Sequence, residues 1–470
     1  MEVLSMNTSL GSRWGVITAG LLIAGGALVA DGTRFSDFTP LPASAGPIPV
    51  GDPDEATPIT FGNPVFQQLS IADRETQLDA EKPNSGVWDM NTVNETGPHK
   101  GRYLFTVFES FQSGVQRHDL LARQTDTIWQ SLNPGDEVRF DACYWTPWGT
   151  LITAEEEWST AGDAEHPVPY GRLFELNNPI DAPPIFEPLD GNSNVGADFV
   201  HRNVVPRTSH EGIQFDKAGN MYFIDELNGG NIYRYTSAAK WGDIMSGKAE
   251  YFDAGQTFVL RVGDGNTPNA TGAYVWVPFT DVNGDALPGA LEITDANGVT
   301  SVDARNTTDL PAFKGTDYQR PEDLQIQKVA NKEYLYVATT TTSSVYRIDL
   351  KNQTISLFAD QSTIDLATGA AAGAAFRSAD NLAIDHDGHI YVIEDRNGGA
   401  DDDIWFAKDL NGDGDLLDPR EGIGRWASNG TQGSEFTGLY FDPTNKRRAW
   451  VNIQHPSSGN DRTIEITIPK

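Results

Sequence analysis

Cysteine is almost missing from this chain of 470 residues: Cys143 is the only one, so no internal disulfide can form. A lone thiol in a globular chain is by default a small buried apolar group, with a free thiol or a metal ligand as the alternatives. Positive charge is also scarce. Lys and Arg number 34 against 66 Asp and Glu, a formal charge of −32, which disfavours any partner bound by neutralising phosphates, so nucleic acid is not expected. Long apolar patterns at helical spacing are lacking, and beyond the first thirty residues no run approaches the ~20 residues that span a bilayer. What is present is 46 Gly and 27 Pro, with 39% hydrophobic and 10% aromatic residues. That composition supports a turn-rich fold with a large core and excludes wholesale disorder. Surplus carboxylates on such a chain either solvate its surface or bind hard cations such as calcium.

Arg13 precedes an uncharged, mostly apolar run from Trp14 to Ala30, and acidic, proline-rich sequence begins at Asp31. This is the layout of an export signal, a little short for a membrane span. Residues 1–30 are therefore read as a signal peptide or membrane anchor, with transient anchoring through residues 14–30 left open. Residues 31–57 are read as a linker and residues 58–470 as the folded unit, a monomer located in the periplasm or outside the cell.

Beyond the linker, short alternating runs rich in Val, Ile, Tyr, Phe and Trp recur between Gly, Asn and Asp turns, which predicts an all-β fold. Gly212 to Glu226 and Asn381 to Asp395 match closely: each is a strand, a D-x-x-G turn and a second strand ending in two carboxylates. Their offset of 169 residues is close to four units of about 42, the length of a propeller blade. Weaker copies run from Tyr103 to Glu109, Cys143 to Glu156, Asp323 to Thr339 and Gly438 to Gln454, so about six blades are expected, with a long insertion at about 236–319. Strand ends of a propeller crowd around its central channel. The residues at those ends are acidic: Glu109, Glu155 and Glu156, Asp225 and Glu226, Glu394 and Asp395, with His210-Glu211, Glu322-Asp323, Asp380-Asn381 and Glu435 just before or at the inner strands. Converging carboxylates repel unless cations neutralise them, so metal ions are expected there. Two further acidic segments, Asp281 to Asp285 and Asp409 to Asp415, are incomplete calcium loops that serve equally well as β-turns.

The run from Cys143 to Glu156, which contains Thr146-Pro147-Trp148-Gly149-Thr150, together with His210-Glu211-Gly212, Arg320-Pro321-Glu322 and Gln454-His455-Pro456, resembles the PhoX-type alkaline phosphatases. The resemblance implies a six-bladed propeller whose channel holds a mixed iron and calcium cluster that hydrolyses phosphate monoesters. By the same motifs Cys143 is similar to the iron-ligating thiolate, Glu211 and Glu322 to iron-side carboxylates, and Glu155 or Glu156 to a calcium ligand. Arg320 is similar to the phosphate-binding arginine, and Arg396 or Arg377 is the candidate for a second. The chain departs from the family where Tyr144-Trp145 fill a shortened gap that usually holds a glycine pair, and where only Arg13 stands in place of a twin-arginine signal. A member that keeps calcium and has lost iron is conceivable.

These readings combine into an exported metal-dependent phosphatase acting on a small phosphoester, with Ca2+ and Fe as cofactors. Two other readings remain. One is a calcium-dependent propeller hydrolase of the lactonase or gluconolactonase kind, with Asn381 as a ligand; the other is a non-enzymatic, calcium-stabilised binding propeller.

Overall fold

The computed structural model describes residues 32–132, 139–158, 170–181, 183–187, 198–294, 298–396 and 402–470. The expected export segment, residues 1–30, lies outside them. The D-x-x-G turns close hairpins as their residues dictate. Asp216 Oδ1 accepts the backbone N–H of Ala218 and Asn220, both at 2.9 Å, and Asp385 Oδ1 those of Asp387 and His389 at 2.9 and 3.0 Å. Gly219 and Gly388 supply the left-handed backbone, with φ of 86° and 88°, that the turns require. Alternating apolar runs on either side then pair as antiparallel strands, Ile213–Phe215 with Asn220–Ile224 and Ala379–Ile384 with Ile390–Glu394.

Among the described residues the architecture is all-β, with helices of no more than six residues. Four blades of four or five strands stand as separate sheets. The first begins at Trp88–Val93, the second at Arg139–Trp145, the third at Ala379–Ile384 and the fourth at Glu435–Phe441. The fourth is completed by Gln67–Asp73, which pairs with the last strand, Arg462–Thr467, and so ties early chain to late chain.

The expected count of six blades, read from the repeat and implied by the family resemblance, is therefore corrected to four. The other propeller strands form one continuous nine-stranded sheet from Ile213–Phe215 to Pro321–Val329. The cause lies in the long segment between Thr236 and Gln319. Its strand Gly272–Pro278 pairs with Gly255–Val262 on one side and, through Gly272 and Ala273, with Thr354–Ala359 on the other. What would otherwise be separate sheets is stitched into one. The same segment buries Tyr251, Phe252, Phe279 and Phe313 against neighbouring strands. Residues 32–57, read as a linker, run along the third blade, where Phe35 is buried among Phe66, Trp426 and Phe441.

Apolar clusters fill the spaces between neighbouring sheets, and Trp88, Trp129, Trp405, Trp426 and Trp450 are fully enclosed. Truncating any of these to Ala would cost about 3–5 kcal/mol. No helix among the described residues is long and apolar enough to cross a membrane.

Candidate metal centre

The innermost strands, Trp88–Val93, Arg139–Trp145, Ile213–Phe215, Pro321–Val329, Ala379–Ile384 and Glu435–Phe441, touch one another in a closed circuit around a central axis. Close approach is enforced at Gly212, where an added Cβ would lie 2.5 Å from Asp323 Oδ1 and from Leu324 N. Most of these strands are irregular at one place. The register slips between Trp88 and Asn91, Phe140 and Cys143, Pro321 and Leu324, and Ala379 and Leu382. A bulge re-aims the side chain that it carries. Those bulges carry Asp89, Asp141, Glu322 and Asp380, and Glu211 precedes Ile213 by the same two residues that separate Asp89 from Asn91. All five line one cavity of about 370 Å3.

A second tier comes from the ends of the partner strands. Glu109 follows Tyr103–Phe108, Glu156 ends Leu151–Glu156, Glu226 lies beyond Asn220–Ile224, and Asp395 follows Ile390–Glu394; all four line the same cavity, as does Glu435. Ten carboxylates thus meet there, beside two guanidinium groups, Arg139 and Arg320, among the described residues.

Successive strand residues face opposite ways, so only one member of each acidic pair reaches the axis. Glu155 points into the wall, where Arg172 grips it at 2.5 Å through Nη2 and at 3.0 Å through Nε, and where the backbone N–H groups of Gly171 and Arg172 donate to it at 2.9 and 2.8 Å. Of the two candidates Glu155 and Glu156, the cavity receives Glu156. Asp225 accepts Ser209 N–H at 3.1 Å, and Glu394 pairs with Arg396 at 2.8 Å. Arg396 is therefore engaged in the wall, donating also to the Ala375 carbonyl at 2.8 Å, and neither it nor Arg377 lines the cavity.

Glu211, Glu226 and Glu322 each offer a carboxylate oxygen within 4.8 Å of the others. Within the cavity wall Asp89 Oδ1, Asp141 Oδ1, Glu211 Oε2, Glu435 Oε2 and Gln454 Oε1 are buried without a hydrogen-bond partner. Burial, followed by the charges of Asp380 and Glu322, holds the Glu211 carboxyl well above its usual range. Burial, then Glu156 and Glu322, does the same to Glu226, and burial, then Asp89 and Glu109, to Asp141. Asp89 is pushed up to about 7 by burial first, with the Glu156 and Asp395 charges adding to it. So many desolvated acids with unused oxygens are a donor set for hard cations.

Aromatic and cationic groups frame the opening. Arg139 Nη1 lies 2.9 Å from Glu156 and 3.5 Å from Glu109. Trp158 Nε1 donates to Glu156 at 2.7 Å and to Glu226 at 3.1 Å. Arg320 lies over the Trp158 ring, 4.8 Å from its centroid, and donates to Glu226 at 2.6 Å. Its Nε is 3.1 Å from Glu322 Oε1 without hydrogen-bond alignment. Arg320 also holds a left-handed backbone, φ 51°, a conformation that costs a non-glycine residue about 1 kcal/mol or more.

Other expected positions fall elsewhere. Cys143 Sγ packs in the apolar cluster with Phe105 and Trp145, 3.8 Å from the Phe105 carbonyl oxygen, and faces a different cavity of about 520 Å3 on the far side of Glu211. Burial pushes its thiol up, with a smaller push from Asp89. His210 is fully buried against Phe223. Asn381 accepts the Gly438 N–H at 2.8 Å and donates to Glu211 at 3.2 Å, so it straps the inner strands together. The Asp281 and Asp409 segments use their carboxylates to close their own turns. Sequence reasoning missed Asp89, Asp141, Arg139 and Trp158. The first two had a signal: Trp88-Asp89-Met90-Asn91 and Phe140-Asp141-Ala142-Cys143 repeat the spacing of Pro321-Glu322-Asp323-Leu324 and Ala379-Asp380-Asn381-Leu382.

No curated protein matches the chain. Among solved structures it is similar to Pseudomonas fluorescens PhoX in complex with vanadate, a transition state analogue, with a TM-score of 0.61 at 14% identity over 93% of this chain and 98% of that one. It is also similar to virginiamycin B lyase from Staphylococcus aureus, with a TM-score of 0.41 at 10% identity over 86% of this chain and 99% of that one. The family model for alkaline phosphatase PhoX matches residues 142–457, more than half of the sequence, a span that contains seven of the ten cavity carboxylates, all but Asp89, Glu109 and Asp141: the chain belongs to the PhoX alkaline phosphatase family.

Proposed function

We propose that the protein is an exported metal-dependent phosphatase that hydrolyses phosphate monoesters in the acidic cavity. The observation that carries this reading is charge. Ten carboxylates against two guanidinium groups repel in a poorly solvated space unless cations enter, and phosphoryl transfer is the chemistry that clustered cations with arginines serve best. Divalent cations held by Glu211, Glu226, Glu322 and their neighbours would supply Lewis-acid charge neutralisation at phosphorus and at the leaving oxygen.

The chain's own residues do the positioning. Arg320 and Arg139 stand at the opening with their planar forks on Glu226 and Glu156. With cations held by those carboxylates, the two arginine forks would be available to bind the non-bridging oxygens of the ester. Trp158, bonded to both carboxylates, fixes the spacing between the two forks. His455 and Glu435 hold a proton: Nδ1 donates to the Gly433 carbonyl at 2.8 Å, so Nε2 and Glu435 Oε1, 2.7 Å apart, share a second one. That proton lies on the cavity wall, within reach of a departing alkoxide.

The test is hydrolysis of p-nitrophenyl phosphate by the purified mature protein, with and without EGTA, beside a lactone as control. The expected result is phosphate release that chelation abolishes and added divalent cation restores. Lactone opening without phosphate release by the metal-replete protein would overturn the proposal.

A further inference from the structure

We propose that the centre of this chain is an all-oxygen site for two or more calcium ions and holds no iron, with Asp141 as a ligand where the family resemblance expects a thiolate from Cys143. The inference concerns the same cavity and rests on its reading as a metal centre. It comes from strand position. Asp141 occupies the bulge of its strand, as Asp89, Glu322 and Asp380 occupy theirs, and it faces the common cavity with an unpartnered buried oxygen. Cys143 stands one step past the bulge, in the position held by Asn91, Leu324 and Leu382 on the other strands. That step faces the apolar packing and the opposite cavity, and Sγ is already directed at the Phe105 carbonyl. A thiolate ligand needs an electropositive setting, which this wall does not provide.

The described lining of the acidic cavity contains no sulfur, and its unpartnered acceptors are carboxylate and amide oxygens. Hard oxygen donors in number suit calcium, whereas a soft thiolate selects a transition metal. Ten carboxylates against two arginines leave room for more than one dication before the local charge is balanced.

The experiment measures metal content of the purified mature protein by elemental analysis, with its visible spectrum, and then follows thermal unfolding on adding calcium chloride or ferrous iron to chelated protein. At least about two calcium per chain, as the charge balance requires, iron at background, no visible band and a melting rise with calcium are expected. Cys143→Ser should keep the calcium content and the melting rise, while Asp141→Asn should weaken calcium binding about tenfold or more. Stoichiometric iron, a thiolate-metal absorption band, or protein that binds no calcium would each overturn the inference, and the wild-type measurement decides even if a variant fails to fold. Calcium without iron in a protein that hydrolyses no phosphate ester would leave the inference standing and end the phosphatase proposal. Iron in an active phosphatase would do the reverse.

Discussion

Chelation should leave a protein that loses stability as pH rises, contrary to the usual behaviour of an acidic protein whose carboxylates are paired. The Asp89 carboxyl, desolvated and facing Glu156 and Asp395, is raised from 3.8 to about 7. A folded-state value above the unfolded one means that the native chain keeps a proton the unfolded chain has released. That contribution is complete below the unfolded value and is lost as pH climbs through about 7. At ~1.4 kcal/mol per unit the shift corresponds to about 4 kcal/mol at its fullest, of which roughly 3 kcal/mol remains at about pH 5 and almost none at about pH 8. Glu109, Asp141, Glu211, Glu226 and Asp380 shift in the same direction, with burial the largest cause for each. Because they share one set of repulsions their contributions do not add, and the Asp89 share is on the order of 3 kcal/mol. For a chain of this length that is on the order of 3–6 °C in melting temperature. Scanning calorimetry in EGTA between about pH 5 and pH 8 should record this fall, and saturating calcium should flatten it by displacing the protons. Calorimetric titration with calcium near pH 6 should show proton release. A melting temperature in EGTA that holds steady or rises over this interval would refute the picture of a protonated, cation-hungry cavity.

Glu155→Gln should cost about 3–5 kcal/mol of stability by leaving Arg172 buried and uncompensated while calcium content stays unchanged; Glu156→Gln should reduce calcium content with a smaller loss of stability. Arg320→Ala should lower kcat/KM for p-nitrophenyl phosphate by about 100-fold or more and weaken inhibition by phosphate in parallel, with Arg320→Lys recovering only part because a point charge does not replace the planar fork. Arg139→Ala should raise KM, whereas Arg396→Ala should lower the melting temperature and change kcat/KM less than tenfold, since Arg396 is committed to Glu394 and the Ala375 carbonyl. If Arg396→Ala abolished turnover in a folded protein, the assignment of that arginine to the wall would be wrong.

Much of the strand inventory was legible because it depends on local pattern. Each segment read as a repeat from Tyr103 to Gln454 contains strands, since alternating apolar residues between Asp- and Gly-led turns leave the chain few other ways to fold. The blade count was not legible. It turns on two residues, Gly272 and Ala273, pairing with Ile355 and Thr354 about eighty positions away, and no local pattern announces such a contact. The two arginines fared alike. Arg396 follows an acidic pair and looks placed for the axis, yet the chain direction after Glu394 turns it into the wall; Arg139 opens an inner strand with nothing in its neighbours to mark it. Glu211 and Glu322 were legible by motif, and Asp89 and Asp141 only by aligning the strands on their bulges, which become visible once the register is known.

That alignment also explains how so many carboxylates are held around one axis. Three of the acidic doublets are split, one carboxylate facing the axis and its neighbour turned into the wall near an arginine. Glu156 has Glu155 and Arg172 behind it, Asp395 has Glu394 and Arg396, and Glu226 has Asp225 with Arg305 close by. The wall guanidinium groups stand one residue behind the cavity acids and offset part of their mutual repulsion through protein of low dielectric, where charge acts over longer range than in water. They cannot neutralise it, because each already has its own carboxylate. The wall ion pairs thus fix where the cavity acids point without pairing those acids themselves. A paired sequence such as Glu155-Glu156 is two parts of one device, the first anchoring the strand end through Arg172 and the second presenting a carboxylate to the cavity. Exchanging their roles by a one-residue slip would turn the Glu156 carboxylate into the wall and remove it from the cavity.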